Sequence, residues 1–288
     1  MKPARFDYVA PRTLDEVLAR LAEFGDDAKL LAGGQSLVPA MNMRLARPKV
    51  LIDLGRVPDV DDIRADNGTL VLGALVRQRA AERSELVHRE TPLLAQALPF
   101  IGHPTIRNRG TVGGSLAHAD PAAELPAVVA ALDGDLVVAS AKGRRVVKPS
   151  AFFASYLTTT LEPHEMLLEV RLPRATATSR FAFVEFSRRH GDFALVGVAV
   201  ALDVDATNVC RAARVALVGV GPGPVHATQA ERSLAGRAVS DPVIREAAES
   251  ASKEIDPQTD IHATSHYRRR LAAALVEDAV RQALGGKH

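Results

Sequence analysis

Two short stretches of this 288-residue chain carry residue types able to hold an oxyanion. In Leu30-Leu31-Ala32-Gly33-Gly34-Gln35-Ser36-Leu37, two glycines and two small polar residues follow directly on the apolar run Lys29 to Ala32. The pattern reads as a buried strand, a tight turn and a short helix containing Pro39. Without a Cβ, and with positive φ allowed, glycine lets backbone N–H groups converge on an anion. A helix start behind the turn adds partial positive charge. Asn108-Arg109-Gly110-Thr111-Val112-Gly113-Gly114-Ser115-Leu116 repeats the arrangement about eighty residues later. One such loop is as readily a plain connecting turn. Two in one domain could hold the two phosphates of a pyrophosphate from opposite sides. Neither fits G-x-G-x-x-G or G-x-x-x-x-G-K-[ST], so neither a Rossmann fingerprint nor a P-loop is present.

Stepping outward, the elements that must position these loops follow from periodicity and turn chemistry. Thr13-Leu14-Asp15-Glu16 has the form of a capping box, and Leu14, Val17, Leu18 and Leu21 share one helical face up to Gly25. Lys29–Ala32 and Val50–Leu54 read as strands, giving an α/β lobe over residues 1–55. Asn67-Gly68 between Ile63–Asp66 and Thr69–Leu72 is a hairpin signal. Helices are expected between Val76 and Leu98 and over Glu124–Leu132. Strands are expected at Asp135–Ala139, Arg144–Lys148 and Met166–Leu172, completing a second lobe over 56–176. A polar link, Arg174–Ser179, leads to strands at Phe181–Phe186, Leu195–Val204 and Arg214–Val220. Helices then fill Val225–Ala235, Asp241–Lys253 and Ser265–Leu284. Strands followed by helices make 177–288 a separate, smaller α+β domain.

The two glycine loops, with a third block, Phe186-Ser187-Arg188-Arg189-His190-Gly191-Asp192-Phe193-Ala194, resemble the flavoprotein subunits of the molybdenum hydroxylases. These belong to the xanthine dehydrogenase superfamily, and the medium subunits of aerobic carbon monoxide dehydrogenases are the nearest in pattern. The blocks stand in family order and the likeness spans nearly the whole chain. The resemblance implies an α/β, two-lobed FAD-binding domain of the alcohol-oxidase and enolpyruvyl-reductase type, followed by the α+β domain. It implies noncovalent FAD held by Ala32, Gly33, Gly34, Gln35, Ser36 and Leu37 of the first loop. In the second loop the corresponding residues are Thr111, Gly113, Gly114 and Ser115. Valine at Gly34 or Gly113 is then expected to abolish FAD binding with less damage to the fold.

The resemblance also carries over Ile101, Asp120, Glu124, Leu161 and Phe193. Asp120 and Glu124 are acceptors suited to ribose or ribityl hydroxyls, or else acids that favour a helix dipole. Leu161 matches a position near the isoalloxazine, and is otherwise an edge apolar residue. Phe193 matches an aromatic beside the flavin, and is otherwise a core phenylalanine. Glu185 departs from the pattern, because the eukaryotic xanthine dehydrogenase branch has a lysine there. A carboxylate would repel negative charge on a reduced flavin and weakens the case for NAD as electron acceptor. His103 and His118 flank the second loop and are expected to hydrogen-bond within it. Arg188-Arg189-His190 reads as a solvated face. Gly219 to Pro224 reads as a turn from strand to helix, since its prolines lack N–H donors.

In the family, a large molybdopterin subunit oxidises substrate, a small subunit carries [2Fe–2S] clusters, and FAD passes the electrons to an external acceptor. The assembly expected is therefore a complex with both partners, paired as a dimer of heterotrimers. This chain's own residues agree with that division. Iron–sulfur clusters need about four cysteine or mixed cysteine and histidine ligands, and Cys210 is the only cysteine, while the nine histidines show no ligand spacing. Two other readings stand beside this one: a self-sufficient FAD-dependent reductase or oxidase, and a non-catalytic assembly module. The third block opposes the first, and the intact glycines oppose the second.

Composition bounds the rest. With 47% apolar and 24% charged residues the chain is an ordinary globular sequence. A net charge of +2, with no basic stripe interleaved with aromatics, argues against nucleic acid. No run is apolar enough to span a bilayer and the start does not read as a signal peptide, so a cytoplasmic location is expected. A lone cysteine excludes an intrachain disulfide.

Overall fold

The computed structural model describes residues 1–285. The first lobe begins with β1 (Asp7–Val9), a strand with no buried residue and hence no apolar signal in the sequence. In α1 (Leu14–Phe24), the Thr13 hydroxyl accepts from the Glu16 N–H at 3.1 Å. The Glu16 carboxylate reaches back to the Arg12 N–H at 2.6 Å, one residue beyond the usual partner of a capping box. Val17, Leu18 and Leu21 form the buried face, and Gly25 ends the helix as the sequence predicts. Next come β2 (Ala28–Leu31), α2 (Leu37–Asn42) and β3 (Val50–Asp53). β3 lies between β1 and β2, parallel to both. The first glycine loop is thus the crossing from a parallel strand into α2.

The second lobe opens with β4 (Ile63–Asp66) and β5 (Thr69–Gly73). Asn67 and Gly68 join them at φ 41° and 83°, the positive pair that a type I′ turn requires. Five short helices follow: α3 (Gln78–Arg83), α4 (Glu85–Glu90), α5 (Pro92–Ala97), α6 (Pro104–Arg107) and α7 (Val112–His118). α8 (Glu124–Ala131) precedes the hairpin of β6 (Asp135–Ser140) and β7 (Gly143–Val147). Then α9 (Pro149–Phe152), β8 (Phe153–Ser155), β9 (Thr158–Thr159) and β10 (Met166–Pro173) complete the lobe. The main sheet is antiparallel, in the order β4-β5-β10-β6-β7. Met166 and Leu168 of β10 and Ala139 of β6 reach into the core of the first lobe.

The last domain contains β11 (Ser179–Phe186), β12 (Val196–Val204) and β13 (Val209–Val218), an antiparallel sheet extended by β14 (Val225–His226). α10 (Thr228–Leu234), β15 (Arg237–Ala238), α11 (Asp241–Glu254) and α12 (Ser265–Ala283) follow. Three boundaries differ from the periodicity, the first being that β13 starts at Val209 rather than Arg214, because Cys210 to Ala213 pair along β12. β11 starts inside the polar link, because Ser179 and Arg180 pair with Asp203 and Leu202. Residues 225–226 are strand rather than helix, because they pair with Leu217 and Ala216. Gly219 to Pro224 therefore joins two strands, not a strand and a helix.

Both faces of this sheet are covered. Phe183, Ala199, Ala216 and Val218 join the core of the second lobe, while Ala182, Val198, Val200 and Leu217 pack on α10 to α12. α8 lies against the first of these faces, and all eight of its residues are buried. A helix enclosed all round is apolar all round, and Glu124 at its start is the exception. Cys210 is buried in β13, where burial pushes its thiol up to about 11, so it packs as a small hydrophobe. Among the described residues no helix is long and apolar enough to cross a membrane.

Candidate functional site

The two glycine loops meet. A Cβ placed on Gly33 would run into the carbonyl oxygen of Arg109 and lie 2.8 Å from Gly110 Cα. Ala32 Cβ is 3.5 Å from where a Cβ on Gly114 would stand. Only a residue without a side chain allows the first loop to rest on the backbone of the second. Gly34 has φ +75°, which turns the chain from β2 into α2. Among the described residues, the backbone N–H groups of Gly33, Gly34, Gln35 and Ser36 donate to no protein acceptor. Gly33, Gly34 and Gln35 are half-buried and Ser36 is exposed, and four consecutive free donors over a loop closed down to glycine suit a phosphate oxygen. Gln35 folds its side-chain amide back onto the Gly33 carbonyl at 3.3 Å.

The second loop is built differently from the first. Gly113 and Gly114 are not in a turn but in the first turn of α7, capped by Thr111. The Gly113 N–H donates to the Ala74 carbonyl and the Gly114 N–H to the Thr111 hydroxyl, each at 2.9 Å. These donors are already satisfied. The glycines are required for closeness: a Cβ on Gly113 would stand 2.6 Å from Ala74 Cα and 2.7 Å from its carbonyl oxygen. Valine at Gly113 would therefore strain the fold itself as well as the loop, contrary to the expectation that the fold is spared. Around this loop, Gln78 N–H donates to the Gly110 carbonyl at 2.9 Å, and the Arg77 guanidinium to that of Arg109. Ser115 is half-buried, and Leu37 begins α2.

Residues 4–175 match the family described as the FAD binding domain in molybdopterin dehydrogenase, and residues 181–283 match the CO dehydrogenase flavoprotein C-terminal domain. The chain belongs to the FAD-binding medium subunits of the molybdenum hydroxylases. It is 40% identical to the alpha subunit of the 6-hydroxypseudooxynicotine dehydrogenase complex of Paenarthrobacter nicotinovorans, over 99% of this chain and 96% of that one. It is 35% identical to the carbon monoxide dehydrogenase medium chain of Hydrogenophaga pseudoflava, over 98% of each. A solved structure of carbon monoxide dehydrogenase from that organism, lacking the Mo-pyranopterin moiety of the molybdenum cofactor, superposes with a TM-score of 0.96 at 36% identity, covering 99% of each chain. Quinoline 2-oxidoreductase from Pseudomonas putida 86 superposes with a TM-score of 0.93 at 37% identity, covering 98% of each chain.

The remaining expected positions differ in burial. Ile101 is buried in the core, and its carbonyl accepts from Arg107 at 2.9 Å. Asp120 is half-buried and one of its oxygens accepts from the Ala122 N–H at 2.9 Å. Leu161 is half-buried against the same core, just after β9, which touches α7. Phe193 is not a core residue: it is 66% exposed. Its loop is brought to the site by Gly191, where a Cβ would stand 2.7 Å from the His103 ring. The His103 ring thus packs against the third block, and faces His190 at 6.5 Å between centroids. The His103 carbonyl accepts from the N–H groups of Ile106 and Arg107, while neither the His103 nor the His118 ring makes a hydrogen bond among the described residues.

Sequence reasoning passed over two arginines. Arg107 in α6 is 4% exposed and grips Glu82 through Nε at 2.8 Å and Nη2 at 3.1 Å. Its Nη1 also donates to the carbonyls of Ile101 and Gly102. Arg268 in α12 donates to the carbonyls of Leu195 and Gly219 and pairs with Asp260 at 2.7 Å. It holds the end of the Phe193 loop to the turn after β13, and Gly219 N–H in turn donates to Pro121 of the FAD-binding lobe at 2.8 Å. Nothing in periodicity or motif marks either arginine.

Glu185 also reads differently in three dimensions. Burial first, and then Glu124, push its carboxyl up to about 8. The shift favours the uncharged carboxyl, which lessens the repulsion expected of a carboxylate there. Glu124 is pushed up to about 7 by burial and secondarily by Asp120.

Proposed function

We propose that the chain carries FAD noncovalently as the electron-transfer subunit of a molybdenum hydroxylase complex. It takes electrons from the [2Fe–2S] clusters of a small partner subunit and passes them to an external acceptor. A large molybdopterin subunit oxidises the substrate, and two such heterotrimers pair, in the cytoplasm. The supporting observation is the row of four unpaired N–H groups at Gly33 to Ser36, set against Thr111 to Ser115 in a chain matched over nearly its whole length. In this reading Ala32 to Leu37 and Thr111, Gly113, Gly114 and Ser115 hold the pyrophosphate from its two sides, and the second loop also supports the first. Asp120 and Glu124 offer acceptors to hydroxyls, and Ile101, Leu161 and Phe193 flank the ring system. Residues 1–55 and 56–176 form the two lobes and 177–288 the domain that covers them, its last three residues lying outside those described. When bound, FAD supplies the redox chemistry, and the protein supplies placement and exclusion of water.

The relay reading has a direct test. Anaerobic addition of the complex's substrate to the isolated chain is expected to leave its visible absorbance unchanged. Adding the iron–sulfur and molybdenum subunits should then bleach it. Rapid bleaching of the isolated, metal-free chain would overturn the relay and favour a self-sufficient flavoenzyme. Acid or heat precipitation should leave the yellow colour in the supernatant. Colour kept in the washed pellet would contradict noncovalent binding.

A further inference from the structure

α12 packs across β11 and β12 with an apolar stripe of Ala272, Leu275, Val276 and Ala279, all buried. Helical spacing puts residue 268 at the head of that stripe, and it is an arginine, 6% exposed. A buried guanidinium costs desolvation that an apolar side chain would avoid. Its donors here go to two separate chain segments. Nη1 of Arg268 donates to the carbonyls of Leu195 and Gly219, and Nη2 pairs with Asp260 at 2.7 Å. Asp260 is itself fixed, because its other oxygen accepts from the N–H groups of His262 and Ala263 at 2.8 and 2.9 Å. Leu195 closes the loop that carries Phe193, its N–H donating to the Phe186 carbonyl at 2.8 Å. Gly219, at φ +76°, lies so near that a Cβ on it would stand 2.5 Å from the Leu195 carbonyl oxygen. Its own N–H donates to Pro121, next to Asp120, at 2.8 Å. One guanidinium thus ties the Phe193 loop of the C-terminal domain to the Asp120 turn of the FAD-binding lobe.

We propose that Arg268 is a positioning residue for the flavin: acting through Leu195 and Gly219, it sets the spacing between the Phe193 loop and the Asp120 turn. This rests on the proposed function, which assigns both segments to FAD. A site is held only as well as the groups behind it are locked, and Arg268 is locked by Asp260 and by burial. The planar fork of a guanidinium serves two carbonyls and a carboxylate at once. A lysine ammonium is a point donor on a flexible stem, and it does not reproduce that geometry even though it keeps the charge.

The test follows three properties of the full chain: FAD affinity by equilibrium dialysis, the visible circular dichroism of the bound flavin, and the melting temperature. Arg268→Lys is expected to melt within about 5 °C of wild type. Its FAD affinity should fall about 10-fold, with the visible dichroism moving toward that of free FAD. A merely structural role would not separate the flavin properties from the melting temperature in this way. Wild-type affinity and spectrum in Arg268→Lys would overturn the proposal. Asp260→Asn, at an exposed residue, removes the anchor of the guanidinium. It should shift both flavin properties in the same direction, by about 3-fold in affinity, and it carries the test should Arg268→Lys not fold. Phe193→Ala separates the two ways of failing. An unchanged visible dichroism in that variant would overturn the assignment of the loop to FAD, on which the proposal rests. Combined with Asp260→Asn, its effect should be less than additive, since both changes act through one loop. Strict additivity would overturn the positioning role alone.

Discussion

Replacing Gly33 with alanine is expected to weaken FAD binding by about 10- to 100-fold while leaving the far-UV circular dichroism spectrum close to wild type. One methyl group is enough because what it meets is backbone: the Arg109 carbonyl and Gly110 Cα. A backbone cannot swing aside as a side chain can, so the two loops must part. Overpacking of this kind costs about 1–3 kcal/mol, which is the stated range of affinity if the strain falls on the loop that holds the pyrophosphate. Gly34→Ala supplies the contrast. Its Cβ meets only the side chains of Leu31 and Val38, each at 3.2 Å. The remaining penalty is the left-handed backbone at φ +75°, roughly 1–2 kcal/mol for a residue with a Cβ. Equilibrium dialysis should therefore rank Gly33→Ala below Gly34→Ala in flavin affinity, at similar melting temperature. Wild-type affinity in Gly33→Ala would refute the assignment of this loop to the pyrophosphate.

The largest effect on stability is expected from Arg107→Met, a loss of about 3–5 kcal/mol in urea unfolding. Methionine approximates the stem but leaves Glu82 without its two-pronged partner and strips the Ile101 and Gly102 carbonyls of their donor. Removing one member of a buried pair costs that much because the other charge stays behind. Arg79, at 2.8 Å from Glu82, limits the damage without reproducing the planar fork. The change also has a pH signature. Burial pushes the Glu82 carboxyl up, but hydrogen bonds from Arg107 and Arg79 outweigh it and hold the carboxyl below its ordinary 4.5. A depressed carboxyl contributes stability that is present above its unfolded value and lost as pH falls through the folded one. Wild type should thus lose stability on acidification more steeply than the variant. A difference below about 1 kcal/mol at pH 7 would mean that water replaces these bonds without penalty, and that Arg107 does not hold the approach to the second loop.

The sequence by itself determined the parts whose cause is local. Thr13 and Glu16 mark the start of α1, Asn67-Gly68 marks a type I′ hairpin, and Gly25 stops a helix, because capping and turn chemistry act within a few residues. The glycine loops, with their family order, were enough to place the chain among FAD-binding subunits. Tertiary structure decided what depends on residues far apart in the chain. β1 and β14 owe their existence to partners, β3 and β13, rather than to their own hydrophobicity. Gly33 and Gly113 look alike in sequence, yet one makes room for another loop and the other for Ala74. Their N–H groups differ accordingly, free in the first case and bonded in the second. The ionisation of Glu185 belongs to the same class: a formal charge is a property of the residue, whereas its pKa is raised by burial and by Glu124, 61 positions away by their numbering. Long-range packing sets the dielectric and the neighbours, and neither is written in the order of the residues.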